Sequence, residues 1–344
     1  MKVFITGGSG LIGRGLAAQL LEAGHQPIIL SRHANEVRRR REYRPCRVVQ
    51  GDPGTAGDWQ AEVDGCDVVV NLAGHNLFAE RWNAEIKRKI RDSRVHGTDH
   101  VVEAIRIAKE RPKALVQASA IGYYGPHGDE DLTESSPSGT DFLSVVCREW
   151  EHASEPVEEL GVRRAIVRIG IVLAPSGGAL AVMKPIFKLG PGAPIGSGGK
   201  LGPATGQQWM SWIHIEDIVG LFKLAIENDA AAGPINGTSP HPVRNAEFSK
   251  ALSNALWKPY AFWRVYLPFG PPDAMLKLLL GDVAEVVASG QKVLPVRAQA
   301  LGYTFKHPDL AEALRDVLAR PKHVISTTAE HKPVPEASRS HAHH

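Results

Sequence analysis

An α/β fold built on a parallel sheet, with a smaller α/β region on its C-terminal side, is predicted by three features of this sequence. Short apolar runs alternate with helix-period segments over residues 2–169, and strands alternating with helices at that spacing form βαβ units. Several runs, such as 67–72 (DVVVNL), are nearly all apolar, as strands buried on both faces are. The first run stops at glycines that open a helix.

Taken in order, strands are expected over 2–6, 27–30, 47–50, 67–72, 114–119 and 164–169. The intervening helices are 11–23, closed by Gly24; 83–108, with a break near Gly97; and 141–160, with Phe142, Val146, Trp150, Ala153 and Val157 on one face. Crossovers between the strands should be right-handed. Residues 174–206 are rich in Gly and Pro and read as irregular; so long an irregular stretch in a compact chain is usually functional. A strand and helix return over 212–228, then amphipathic helices and a short strand at 303–305. Residues 323–344 are polar and poor in apolar side chains, the composition of a disordered tail.

The 344 residues leave room for about two domains. Hydrophobic residues make up 43% and charged residues 22%, as in ordinary globular proteins. A formal net charge of +3 is too small to point to nucleic acid; the run Arg38, Arg39, Arg40, Arg41 reads first as a solvated face. Cys46, Cys66 and Cys147 share no metal-ligand spacing, so reduced thiols in the cytoplasm are expected and no metal is. The N-terminus lacks the pattern of a signal peptide, and no apolar run is long enough to span a bilayer.

Gly7, Gly10 and Gly13 follow the first strand and open the first helix, the context that makes such a triplet specific. The first glycine permits a tight turn, the second lets backbone approach a diphosphate, and the third lets helix pack on sheet. Ser9, Leu11 and Ile12 complete a loop whose free N–H groups and positive helix end suit phosphate. This is the mark of a Rossmann doubly wound sheet. The second strand ends at Ser31 and Arg32, where an NAD-binding chain would carry an acid. A guanidinium there suits the 2′-phosphate of NADP(H), with Arg39 assisting; a surface arginine is the plain alternative. Asp52 is placed to border adenine, and Asn71, Leu72, Ala73 and Gly74 to line a ribose, though each also fits a simple strand-end turn. Arg94, Ala118, Arg168, Ile169 and Gly170 complete the candidate cofactor site. The chain then divides into a dinucleotide-binding part (1–173 and 209–232), a substrate-side part (174–208 and 233–320) and a tail (321–344).

These residues together resemble the extended short-chain dehydrogenase/reductase superfamily. Residues 93–98 (SRVHGT) resemble its helix after the fourth strand, 212–217 (WIHIED) its later strand–helix junction, and 233–237 (GPING) its substrate-side strand. Residues 119–125 (SAIGYYG), 168–173 (RIGIVL), 209–214 (WMSWIH), 290–295 (GQKVLP) and 302–305 (GYTF) narrow the resemblance. It is to the atypical, sugar-nucleotide-epimerase-like branch labelled epimerase family protein, whose short C-terminal domain has no defined role. It covers about residues 1–320 and implies NADP(H) binding, without a reaction. Some relatives carry a cell-division-inhibitor label.

The superfamily's Tyr-x-x-x-Lys pair belongs on the helix over 141–160. Anchoring on Glu151 places Leu143 at the tyrosine and Cys147 at the lysine. Leucine cannot exchange the proton that accompanies hydride transfer, and Cys147 reads as a core thiol. Ser119 and Tyr123 at the end of the fifth strand are the substitutes, with Ala120 or Tyr124 as alternative registers, and Lys87 as a cation beside the phenol or a solvated lysine. Trp82, Tyr124, Trp209 and Trp212 are candidate substrate contacts, for which packing is the competing explanation. His214 reads as a hydrogen-bonded histidine before a catalyst. Residues 200–207 resemble an insertion. Two functions fit: an NADP(H)-dependent oxidoreductase or epimerase on a small oxygenated substrate, a nucleotide sugar among them, or a non-catalytic NADP(H)-responsive regulator linked to cell division. A homo-oligomer or a protein partner is compatible with either.

Overall fold

The computed structural model describes residues 1–189, 194, 205–257 and 289–319. Seven parallel strands form the central sheet: β1 (Lys2–Thr6), β2 (Gln26–Ser31), β3 (Arg47–Gln50), β4 (Val68–Asn71), β5 (Ala114–Ala120), β7 (Arg163–Ile169) and β11 (Gly233–Gly237). Their order is β3-β2-β1-β4-β5-β7-β11, with registers such as Thr6 opposite Leu30 and Asn71. The order reverses direction between β1 and β4, which opens a crevice outside the carboxyl ends of the strands.

Burial follows the pleat. In β1, Val3 and Ile5 enter one core with Leu16 and Leu20 of α1 (Leu11–Glu22), while Phe4 enters the other with Val101 and Ile105 of α3 (Ala84–Ile107). A short α2 (Ala34–Arg39) follows β2. Helix α1 stops at Glu22 and Gly24 takes φ +76, a left-handed turn that favours glycine. Asn83 caps α3 by accepting from Ile86 N–H at 2.9 Å. No break occurs at Gly97, which lies buried beside the carbonyl of Pro53. One helical glycine costs about 1 kcal/mol, less than burial of Val101, Val102 and Ile105 returns.

The single helix expected over 141–160 is two: α4 (Phe142–Ala153) and α5 (Pro156–Glu159). Pro156 has no N–H to continue the ladder, and the Ser154 hydroxyl donates to Glu151 O at 2.7 Å. The stretch expected to be irregular holds α6 (Gly178–Leu189), whose Leu180, Met183 and Phe187 are buried. Residues 303–305 form no strand. Asp217, in the first turn of α7 (Ile215–Glu227), instead accepts from the N–H groups of Lys306 and His307 and from the Tyr303 hydroxyl. Residues 233–237, expected on the substrate side, are the outer strand of the main sheet, paired with β7 in register from Gly233–Ala165 to Gly237–Ile169.

Above the carboxyl ends lie three small pairings. They join β8 (Ile171–Leu173) to β10 (Trp212–His214), β9 (Trp209–Met210) to β12 (Val243–Arg244), and β6 (Asp131–Leu132) to β13 (Lys292–Val293). With α6, α8 (Asn245–Ala255) and α10 (Leu310–Ala319), the first two pairings carry a second core of Phe187, Met210, Trp212, Phe248 and Leu314, while Leu132 and Val293 of the third pack with Ile121 and Tyr124, and Ala298 of α9 (Val296–Ala300) joins the main core. His214 is fully buried here: Nδ1 accepts from Glu216 N–H, Nε2 faces Asp316 at 3.1 Å, and the ring stacks on His307 at 3.7 Å. Burial, with His307 adding, depresses its pKa to about 4. His214, Glu216 and His307 bring donor atoms within 4.8 Å of one another, and the contacts tie the C-terminal segment to α7. Residues 200–204 of the insertion, and the tail from 321, lie outside the described residues.

Candidate functional site

The glycine loop leaves β1 with Gly7 at φ +66. A methyl group on Gly13 would lie 2.5 Å from Gly7 O and Gly8 Cα; one on Gly7 would lie 2.8 Å from the Leu72 carbonyl carbon. The loop, the start of α1 and the end of β4 therefore close on one another with no room for a side chain. Gly10 is the N-cap of α1, which has no side-chain cap and no acid in its first turn. The positive end of the helix is thus left to an anion, and this cradle fits a dinucleotide's diphosphate. Ser9, Leu11 and Ile12 are half-buried along it. Tyr43, which sequence reasoning missed, donates its hydroxyl to Gly8 O at 3.0 Å and fixes the loop from below. Nothing local marks a tyrosine reaching back 35 residues.

The other strand ends line up beside it. Ser31 is buried, its Oγ accepting from His33 N–H, and Arg32 is exposed. Gln50 of β3 braces this corner, donating to Arg32 O at 2.8 Å and accepting from Ala34 N–H. Asp52 is half-buried and accepts from Gly54 N–H. Leu72, Ala73 and Gly74 emerge from β4, and Ile169 and Gly170 from β7. Gly170 is required by packing, since a methyl there would meet Ser211 O at 2.6 Å.

Several predicted contacts are structural supports instead. Asn71 is 1% exposed, bonded to Thr6, Thr98 and Gln117, so its amide braces the floor and does not line a ribose. Ala118 is in the sheet core. Arg168 is buried, its guanidinium gripping both oxygens of Glu151 at 2.9 Å and donating to the Tyr124 hydroxyl at 3.0 Å. Desolvation works against that charge, and Glu151 more than offsets it, so the Arg168 pKa rises. Tyr124 is fully buried, donates to Asn236 at 2.7 Å, and is pushed up to about 12 by burial, leaving no face for a substrate. Trp212 is fully buried with its indole N–H on His241 O. Trp82 packs edge-on against Phe142 and donates to Leu77 O.

Ser119 donates to Glu151 Oε1 at 2.6 Å. Cys147 is buried and pushed up to about 12 by burial, the state of an inert thiol. Tyr123 is half-exposed; its ring lies 3.5 Å from the Arg168 guanidinium carbon and edge-on to Tyr124 at 5.3 Å. Lys87 lies 5.4 Å from the Phe142 ring, in a wall with Trp82 and Leu143. Trp209, half-buried on β9, is covered by Arg244 at 4.0 Å and Lys292 at 5.0 Å, and donates to Asp129. The structure thus gathers the loop, Arg32, Leu72–Gly74, Ser119 and Tyr123 along the carboxyl ends of neighbouring strands.

A sheet of this order with an uncapped glycine cradle defines a nucleotide-binding Rossmann protein. The model of the NAD dependent epimerase/dehydratase family matches residues 3–236, and that of a domain of unknown function matches 271–317. The chain belongs to the epimerase/dehydratase family. It is 42% identical to an epimerase family protein SDR39U1 homolog, chloroplastic, of Arabidopsis thaliana, over 92% of this chain and 87% of that one. It is 36% identical to the epimerase family protein YfhF of Bacillus subtilis, over 94% and 100%. Human epimerase family protein SDR39U1, solved with NADPH, superimposes with a TM-score of 0.77 at 31% identity, over 92% of this chain and 99% of that one. UDP-glucose 4-epimerase of Thermus thermophilus, solved with NAD, shares the fold, with a TM-score of 0.71 at 19% identity, over 92% of this chain and 99% of that one. No helix among the described residues is long and apolar enough to cross a membrane.

Proposed function

We propose that this chain binds NADP(H) and acts as an atypical oxidoreductase or epimerase on a small oxygenated substrate, with nucleotide sugars within that class. The observation that carries the phosphorylated cofactor is the β2 terminus. It presents the exposed Arg32 and no carboxylate, held in place by Gln50. The human relative solved with NADPH supports the same choice. In this reading the first amides of α1 hold the diphosphate, Arg32 grips the 2′-phosphate, and Leu72–Gly74 line the crevice. The cofactor supplies the hydride. Ser119 and Tyr123 stand where the reacting oxygen's proton must be exchanged, and the Arg168–Glu151 pair holds Tyr123 in place.

Arg32→Glu should weaken NADPH by about 10–100-fold, the loss of charge-assisted hydrogen bonds worth about 1.5–3 kcal/mol, and leave NADH nearly unchanged. Calorimetry with both nucleotides decides it; equal losses for the two would refute the 2′-phosphate role.

Leu143 and the buried Cys147 favour a second reading, a non-catalytic NADP(H)-responsive regulator. The two separate on turnover. NADPH oxidation is followed against a panel of carbonyl compounds, and isomer formation against nucleotide sugars. An enzyme should lose about a hundredfold or more of its turnover in Tyr123→Phe, the scale of general acid–base catalysis. Tight NADPH binding without turnover, together with a partner recovered by pull-down, selects the regulator.

A further inference from the structure

Two arginines lie beneath the crevice, and among the described residues a carboxylate pairs with one of them. Arg168 is neutralised by Glu151. Arg94, from the middle of α3, donates Nη1 to the carbonyl oxygens of Ile90 at 2.9 Å and His75 at 3.1 Å. Its guanidinium carbon lies 5.0 Å from the Trp150 ring, and a methyl on Gly74 would come within 3.1 Å of it. Among the described residues no carboxylate forms an ion pair with it; its electrostatic neighbour is the Cys147 thiol, which burial keeps protonated. Desolvation lowers the Arg94 pKa, yet an arginine so placed keeps its proton.

A half-buried cation without a counter-charge is costly unless a ligand completes it. The surroundings say where that ligand lies. Gly74 and His75 follow β4, and Cys147 is in contact range of Ser119 and Ala120 at the end of β5. The charge therefore faces the part of the crevice between β4 and β5, beyond the diphosphate cradle of β1. Position 147 is also where the resemblance puts a lysine on α4. Here the cation comes to the same thiol from α3.

We propose that Arg94 sets the charge preference of the nicotinamide end of the crevice, favouring the uncharged reduced ring over the cationic oxidised one and favouring a substrate oxygen that turns negative. This rests on the NADP(H) reading above. Arginine cannot release its proton near neutral pH, so Arg94 acts through charge alone, and proton exchange is left to a separate group such as Tyr123. The direction so favoured is reduction, with an aldehyde or ketone as the class of substrate.

The test is calorimetry of the full chain and of its Arg94→Gln and Arg94→Lys variants with NADPH and with NADP+, after circular dichroism has shown each to be folded. Wild type should bind NADPH more tightly than NADP+. Arg94→Gln should narrow that ratio about tenfold, the order expected for removing one charge at close range in a partly shielded site. Arg94→Lys should keep the ratio within about threefold of wild type. An unchanged ratio in Arg94→Gln overturns the proposal, and so does an equal loss for both nucleotides, which would assign Arg94 to the diphosphate or to the fold. If Arg94→Gln does not fold, a ratio lost in folded Arg94→Lys overturns it and a ratio kept supports it. Failure of wild type to bind either nucleotide overturns the NADP(H) reading itself, an outcome distinct from all of these.

Discussion

Glu151→Ala is expected to destabilise the fold by about 3–5 kcal/mol, the cost of stranding one partner of a buried ion pair. Glu151 is 7% exposed and accepts two bonds from Arg168 and one from Ser119. Its removal leaves a cation 4% exposed that pairs with no other carboxylate among the described residues. Arg168→Met in the same chain should recover part of the loss, because the charge that needs an answer is then gone. Urea unfolding of the two single variants and the double variant measures this. A loss under about 1 kcal/mol in Glu151→Ala would show that the pair is solvated and would undo its role as the support of Tyr123. The consequence reaches the site, since Arg168 carries the Tyr123 ring at 3.5 Å and bonds the Tyr124 hydroxyl.

The sheet was legible because its signals are local. A strand buried on both faces is apolar along most of its length, as residues 3–5 of β1, 68–70 of β4 and 114–116 of β5 are, with the polar Thr6, Asn71, Gln117 and Ser119 confined to the carboxyl-end halves. The cradle was legible because Gly7 and Gly13 leave no room for a methyl against backbone atoms, and Gly10 between them is crowded at 3.1 Å by Gly7 O. What stayed hidden depends on partners far away in sequence. Tyr43 has meaning only through Gly8, and Asp217 only through residues 303–307, whose N–H groups it claims in place of a strand. Arg168 looked like a cofactor contact from its place near a strand's end, but an odd-numbered shift in pleat sends a side chain to the opposite face, and Glu151 holds it there. Trp212 illustrates the limit of composition: an aromatic near a crevice and an aromatic in a core are the same letter, and here the second core claims it. The helix over 178–189 was masked by flanking glycines, although Leu180, Met183 and Phe187 repeat at helical spacing.

Gly13→Ala should lower NADPH affinity by more than about a hundredfold and cost about 1–3 kcal/mol of stability. The added methyl would sit 2.5 Å from Gly7 O and Gly8 Cα and 2.8 Å from Gly8 C. These are backbone atoms, so relief requires the loop to open, and opening moves the amides that face the diphosphate. The loop has little freedom to give: Gly10 N–H is bonded to Gly7 O at 2.9 Å, Tyr43 holds Gly8 O, and Gly7 lies against Leu72. Gly24→Ala is the matched control. Gly24 ends the same helix at φ +76 with nothing within 4 Å of an added methyl, so the substitution brings left-handed strain of about 1–2 kcal/mol and no collision at the cradle. The two variants should therefore lose similar stability but differ in nucleotide affinity. Thermal unfolding and calorimetry on the pair separate the effects. If Gly13→Ala bound NADPH within about threefold of wild type, the first turn of α1 would not be the diphosphate site.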